Sequence, residues 1–349
     1  MAEKKMIFVS GMHRSGTSAA TRLLNILGAA LPDTLLPPDP HINEKGYFED
    51  PAVLSLNQSV LSHLHAAWYD IKPLPQNWWR TAEIASFKEK IRTILKEAYA
   101  PFDLAMIKDP RISLLFPLWI DAVQDTFQPL AVIVLRHPSE VAASLGKRDG
   151  LDKGYAALLW MRYVIAAFTH TRDLKRAVVT FDQIVSEPVQ VRERVGEALG
   201  VSWPIPPAEQ KRKISQDISR SLKHHAWNGA AQGPENQLLA MAADIYQRLC
   251  SPDPGLEKID FSEISEKLDA PDGNLGRALT ESLQNTNQRM IENTVKMIEI
   301  GEMHHHALSV ISEKDQTIRA LVRFKEQVVS HWAWPIMRRL LGGGFPIDD

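Results

Sequence analysis

The sequence predicts an α/β fold of three layers, a central parallel sheet with helices on both faces, followed by an all-helical C-terminal extension. Three observations carry that expectation. Short apolar runs rich in β-branched residues recur at Met6–Ser10, Ala105–Lys108, Leu130–Arg136 and Ala177–Phe181. A strand covered on both faces is apolar at successive positions, and these runs read that way. Helical patterns separate the runs, which is the signature of βαβ units. Beyond about residue 225 no strand pattern follows.

The elements fall in order along the chain. A helix over Ser15–Gly28 follows the first strand directly. Helices over Pro51–His65 and Ala82–Ala98 come before the second strand. Pro138–Lys147 and Gly154–Leu174 lie between the third and fourth, and Glu187–Leu199 follows the fourth. The chain turns Pro-rich at Val201–Pro207, Gly229–Pro234 reads as a loop, and Gln237–Leu249 is helical again. From Leu275 to about Ser330 there is no proline, and apolar residues recur at spacings of three and four. Such a helix needs a partner surface, as a hairpin or a coiled coil. The division read from these shifts is 1–225 for a catalytic domain, 226–275 for a helical extension, 276–330 for the long helix and 331–349 for an aromatic and basic tail.

Composition excludes several classes. Of 349 residues, 44% are hydrophobic and 23% charged, which does not suit a wholly disordered chain or a collagen-like fibre. Cys250 is the single cysteine, so no intramolecular disulfide or cysteine zinc cage is open to the chain. A lone thiol fits a reducing compartment, and a cytoplasmic location is expected. The formal net charge of −2 gives no footprint for nucleic acid. Met6–Val9 is too short for a signal-peptide core, and no run of apolar residues is long enough to span a bilayer.

The segment that speaks most directly of chemistry is Ser10-Gly11-Met12-His13-Arg14-Ser15-Gly16-Thr17-Ser18. It leaves a strand and opens a helix, where backbone N–H groups and the helix dipole attract a phosphate. Gly11 and Gly16 have the spacing of a P-loop, but Thr17 stands where a triphosphate enzyme needs lysine. A cation, Arg14, lies inside the loop instead, which suits a smaller transferring group. A second segment runs from Val132 through Arg136-His137-Pro138 to Ser144. Pro138 suits a first helical turn, and Arg136 with Ser144 can converge on one phosphate, since the arginine fork donates bidentately.

Together these segments resemble the sulfotransferase superfamily, whose donor is 3′-phosphoadenosine 5′-phosphosulfate. The resemblance covers about residues 5–225. It makes Gly11, Arg14, Ser15, Gly16, Thr17 and Ser18 the 5′-phosphosulfate loop, and Arg136 with Ser144 the 3′-phosphate site. Lys108-Asp109-Pro110 resembles a segment of the tyrosylprotein branch. Phe181-Asp182-Gln183-Ile184-Val185 resembles the run after the third strand of the site. Arg220 is a candidate third contact to the 3′-phosphate. The chain departs from the cytosolic branch, which has a basic histidine after Lys-x; here Asp109 and Pro110 follow Lys108. Many relatives also carry lysine where Arg14 stands.

The general base must therefore come from elsewhere. Asn43-Glu44-Lys45-Gly46-Tyr47-Phe48-Glu49-Asp50 lies after the loop's helix, where several families of this superfamily place a catalytic glutamate. Glu49 is the first candidate, because Tyr47 and Phe48 can desolvate it, and Glu44 is the second. Glu49 and Asp50 also suit the N-terminus of the helix that Pro51 opens. His13 is a further candidate base, or a residue that packs beside the loop. Lys108 is the candidate for stabilising the bridging oxygen. No metal is required, because the donor carries no triphosphate. His304-His305-His306 cannot chelate together, since adjacent helical residues point apart.

The expected reaction is sulfuryl transfer to an acceptor hydroxyl. The tail, Ser330 to Arg339, resembles the ending of bacterial surface-glycan glycosyltransferases. That points to a carbohydrate acceptor on a surface glycan or glycolipid, and to a peripheral contact with the membrane's inner face or with a glycosyltransferase. The C-terminal helices also point to a homo-oligomer. Two rival readings are a P-loop small-molecule kinase, with Asp109 on magnesium, and a non-catalytic nucleotide-binding scaffold in glycan assembly.

Overall fold

The computed structural model describes residues 4–38, 46–217 and 235–251, with the single positions 282, 284–286, 288, 289, 292 and 319. The strands are β1 (Lys5–Ser10), β2 (Leu104–Lys108), β3 (Gln128–Leu135) and β4 (Lys175–Thr180). They form one parallel sheet in the order β2-β1-β3-β4. Lys5 pairs with Leu104 on one side of β1 and with Gln128 on the other. The chain thus moves outward from β1 in both directions, and the order reverses beside β1, the point at whose carboxyl ends open α/β sheets place their ligands.

Alternation along each strand builds two cores. Met6, Phe8, Ala105, Ile107, Ala131, Ile133 and Leu135 point to one face. Ile7, Val9, Met106, Leu130, Val132, Val134, Ala177 and Val179 point to the other. The second face is covered by α1 (Thr17–Ile26), α8 (Pro188–Leu199) and α9 (Pro207–Asp217). The first carries α2 (Pro51–His63), α3 (Ala85–Ile94), α4 (Ile112–Val123), α5 (Pro138–Asp149), α6 (Lys153–His170) and α10 (Glu235–Leu249). Phe8 meets Phe116 and Trp119 edge-on there, the ring arrangement that aromatic quadrupoles favour. The short α7 (Phe181–Ser186) links β4 to α8.

Several boundaries differ from the sequence reading, each for a local reason. The region Ala82–Ala98, expected as one helix, is a 3₁₀ turn at Ala82–Ile84, then α3, then a π turn at Leu95–Tyr99. The sequence reading contains no helix over Ile112–Val123, yet α4 is there. It is apolar on nearly every side and holds Pro117, so it lacks both the polar stripe and the unbroken run that mark a surface helix. β4 stops at Thr180 rather than Phe181, because Thr180 and Gln183 form a reciprocal capping box that starts α7. Pro207, read as part of a turn, is the first residue of α9.

The chain divides into two compact units, Met1–Arg289 and Met290–Asp349. Leu238, Ala242, Ile245 and Leu249 of α10 enter the same core as α6, so packing carries the first unit past residue 225. Ser282 Oγ donates to Asp152 Oδ1 at 2.8 Å, at the N-terminus of α6, within that unit. Of the second unit only Glu292 and Arg319 are among the described residues. Most of the expected long helix, the three histidines from 304 to 306 and the tail lie outside them.

Candidate active site

The loop between β1 and α1 is shaped by its glycines. Gly11 has φ +143°, and a Cβ there would fall 2.5 Å from the Val134 carbonyl oxygen. Gly16 has φ +91°, and its Cβ would fall 2.3 Å from Cδ2 of Phe181. Neither position admits a side chain. Arg14 adopts φ +69°, a conformation that costs a non-glycine residue energy and marks functional loops. Ser113 Oγ accepts from the Gly11 N–H at 3.1 Å and ties the loop to α4. Thr17 then opens α1, whose first N–H groups have no acceptor within the helix and face the loop. Ser15 Oγ is buried beside them without a hydrogen-bond partner, a group that an incoming anion would satisfy.

The second segment converges on the same place. Arg136 follows β3, and α5 begins with Pro138, capped by His137 Nδ1, which accepts from the Ser139 N–H. Arg14 Nε donates to Ser144 Oγ at 2.8 Å. Arg136 Nη1 donates to the Arg14 carbonyl at 3.3 Å, and its Nε donates to Glu140 Oε2 at 2.8 Å. The guanidinium of Arg136 lies 4.6 Å from the centre of the Phe181 ring. The two motifs, 122 residues apart in sequence, therefore form one basic cluster at the carboxyl ends of β1 and β3.

A third group closes the site from β2. Lys108 ends that strand, and its Nζ donates to Glu49 Oε1 at 2.5 Å and to the Tyr47 carbonyl at 2.9 Å. Both side chains of the pair are buried, at 3% and 9% exposure. Local backbone explains why Tyr47 and Glu49 reach the same ammonium. Gly46 has φ +91° and Phe48 φ +55°, left-handed backbone on either side of Tyr47, and Tyr47 and Glu49 stand two residues apart. Ser18 Oγ, on α1, donates to the Tyr47 carbonyl at 3.4 Å, which ties this loop to the one between β1 and α1. The neighbour Asp50 is spent on structure. It caps α2 through the Ala52 N–H at 2.8 Å and accepts from Tyr99 Oη at 3.0 Å.

His13 stands against a wall of aromatics. Its ring lies 4.6 Å from Trp68 and 5.9 Å from Tyr163, and Arg148 covers Trp68 at 5.3 Å. Burial, followed by the positive charges of Arg148, Arg111, Lys108 and Arg14, holds its pKa well below the usual histidine value. The imidazole is therefore neutral at pH 7, and its Nε2 is buried without a hydrogen bond. Asp109 is fully buried and both of its oxygens are engaged. Oδ1 accepts from the Arg111 N–H at 2.9 Å and from Arg111 Nη1 at 3.0 Å. Oδ2 accepts from Asn57 Nδ2 at 3.0 Å.

The structure thus brings together His13, Arg14, Ser15, Gly16, Thr17, Ser18, Glu49, Lys108, Arg136 and Ser144. Glu44 and Arg220 lie outside the described residues. Sequence reasoning missed Arg148, Glu140, Ser113, Trp68 and Tyr163. Arg148 and Glu140 stand four residues after Ser144 and Arg136, and for Arg148 that spacing on one helix face was a usable signal. Trp68 has no local signal at all. Among the described residues no group of three or more histidine, cysteine, aspartate or glutamate side chains is placed to hold a metal. No helix among them is long and apolar enough to cross a membrane.

No protein-family model and no curated protein sequence matches the chain. Solved structures similar to it include the sulfotransferase domain from the curacin biosynthetic pathway, at 18% identity and a TM-score of 0.36, over 80% of this chain and 98% of that one. The sulfotransferase domain of the Synechococcus PCC 7002 olefin synthase shows 16% identity and a TM-score of 0.41, over 71% and 96%. Mouse sulfotransferase SULT7A1, complexed with PAP, shows 16% identity and a TM-score of 0.34, over 79% and 88%. At such scores the fold rests on the strand order and register above, and the site on its own side chains.

Proposed function

We propose that this chain is a sulfotransferase that moves a sulfuryl group from 3′-phosphoadenosine 5′-phosphosulfate to an acceptor hydroxyl. The observation that carries the reading is the joint placement of Arg14, Arg136 and Ser144 in one cluster, beside the buried Lys108–Glu49 pair. The cluster offers two anion subsites. The loop and Arg14 suit the 5′-phosphosulfate, and Arg136 with Ser144 suits the 3′-phosphate.

In this reading the acceptor oxygen attacks sulfur in line with the bond to the 5′-phosphate oxygen. The new O–S bond forms as that bond breaks, and the hydroxyl proton passes to Glu49. Arg14 and the loop N–H groups hold the sulfuryl oxygens and the leaving phosphate. The Lys108–Glu49 contact of 2.5 Å has a consequence here. Protonation removes the negative charge of Glu49 just as negative charge grows on the leaving oxygen. Lys108 loses one partner and gains another at the moment of transfer. His13 is neutral and its Nε2 is shielded, which favours packing over proton abstraction.

The kinase alternative finds less support. It needs a lysine in the loop, where Thr17 stands, and a free carboxylate for magnesium. Asp109 is fully buried and already accepts hydrogen bonds on both oxygens, from Arg111 and Asn57. The carbohydrate acceptor, the contact with a membrane or glycosyltransferase and the homo-oligomer remain part of the proposal. They rest on the C-terminal helices and the Trp332–Arg339 tail, and the cytoplasmic location on the single Cys250. The test is to incubate the protein with donor carrying ³⁵S and with panels of glycans, phenols and tyrosyl peptides. Label should pass to a glycan; transfer to none of the panels would count against the activity, and transfer only to peptides against the acceptor class.

A further inference from the structure

We infer that Glu140 is a built-in counter-charge in the 3′-phosphate subsite, which keeps the bisphosphate product from being held too tightly; this rests on the donor reading above. Glu140 occupies the third position of α5, after Pro138 and Ser139. A carboxylate there ordinarily turns back to the capping residue's N–H, or sits in solvent near the positive end of the helix. Glu140 is 5% exposed, and its Oε2 takes Arg136 Nε at 2.8 Å.

Arg136 does not need the carboxylate to stay in place. Its guanidinium lies against the Phe181 ring at 4.6 Å, and its Nη1 reaches the Arg14 carbonyl. Stability does not account for the pair either, because desolvating two charges about cancels their attraction. What the pair does change is the field. A phosphate arriving at Arg136 meets a guanidinium whose charge is already countered. Asp182 stands in the first turn of α7, next in sequence to the Phe181 on which Arg136 lies. The Tyr246 phenol on α10, raised first by burial, feels Cys250 and then both of these carboxylates. The donor and the bisphosphate product share the same phosphates, so a bare Arg136 beside the loop would grip the product as firmly as the substrate. Product release limits many enzymes, and a counter-charge eases it.

The test uses Glu140→Gln, which keeps the shape and an oxygen for Arg136 Nε but removes the charge. Calorimetry would compare adenosine 3′,5′-bisphosphate with adenosine 5′-monophosphate, which lacks the 3′-phosphate. The bisphosphate should bind the variant about tenfold or more tightly than wild type, and the monophosphate within about threefold. Glu140→Asp keeps the charge and should stay within about threefold of wild type for both. Glu140→Met carries the same expectation as the glutamine variant and serves if that variant does not fold. Bisphosphate affinity unchanged or weaker in the uncharged variants would overturn the inference, as would equal tightening in Glu140→Asp. A wild-type protein that binds both nucleotides equally would instead overturn the donor reading.

Discussion

Replacing Glu49 by glutamine separates chemistry from binding at this site. The carboxylate sits 2.5 Å from Lys108 Nζ, and both side chains are nearly dry. A positioned general base contributes about 10²–10⁴ to rate, so kcat should fall by that factor, about 3–5 kcal/mol in the barrier. Folding should suffer less. Breaking a buried pair outright costs about 3–5 kcal/mol, but glutamine retains an oxygen for Lys108. Lys108 also keeps the Tyr47 carbonyl at 2.9 Å. The cost to stability should then be about 1–3 kcal/mol, a loss of several degrees in Tm. Three measurements follow the variant: release of bisphosphate with an acceptor found by the labelled screen, affinity for adenosine 3′,5′-bisphosphate, and thermal unfolding. Lys108→Met should lower kcat comparably, and the double variant should lose much less than the product of the two, since the residues act as a unit. Near-wild-type turnover in Glu49→Gln would refute the assignment and move the base to Glu44 or His13.

Other perturbations address the rest of the site. Arg136→Ala should weaken bisphosphate binding by roughly tenfold to a hundredfold and, by stranding the buried Glu140, lower stability by about 3–5 kcal/mol; unchanged calorimetric affinity in the folded variant would remove Arg136 from the donor site. Gly16→Ala places a methyl 2.3 Å from Phe181 on a backbone with φ +91°, so nucleotide binding should be lost, and a variant that binds normally would show the loop to be soft. His170 gives a pH dependence. Burial lowers its pKa to about 4, against about 6.5 in the unfolded chain. The unfolded state takes the proton first, so stability is full above pH 6.5 and falls as the pH drops towards 4, by about 2–3 kcal/mol. Urea unfolding of wild type and His170→Asn at pH 7.5, 5.5 and 4.5 should show a smaller acid loss in the variant; parallel losses would exclude His170 as the source.

The sheet was legible because strands buried on both faces leave continuous apolar runs that no surface element mimics. The loop between β1 and α1 was legible because its glycines answer to close approaches, Gly11 to the Val134 carbonyl and Gly16 to Phe181, that only glycine tolerates. α4 was hidden by its own burial and by Pro117. The convergence of Arg14 on Ser144 and Arg136 could be guessed from a resemblance, but the hydrogen bonds that join them depend on strand order, which spacing alone does not encode. Spacing did not separate Glu49 from Glu44; the contact that marks Glu49, its carboxylate on Lys108 of β2, joins segments 59 residues apart, and Glu44 lies outside the described residues. Trp68 and Tyr163, which wall in His13, come from distant segments and carry no local mark.

The central claim is that the cluster around Arg14 and Arg136 reads an adenine nucleotide carrying a 3′-phosphate and no triphosphate. One calorimetric experiment tests it most directly: titration of the full chain with adenosine 3′,5′-bisphosphate and, separately, with ATP, each with and without magnesium. The account predicts micromolar or tighter binding of the bisphosphate, indifferent to magnesium, and ATP weaker by about a hundredfold, a difference of about 2.7 kcal/mol. ATP binding as tightly as the bisphosphate, and more tightly when magnesium is present, would contradict it.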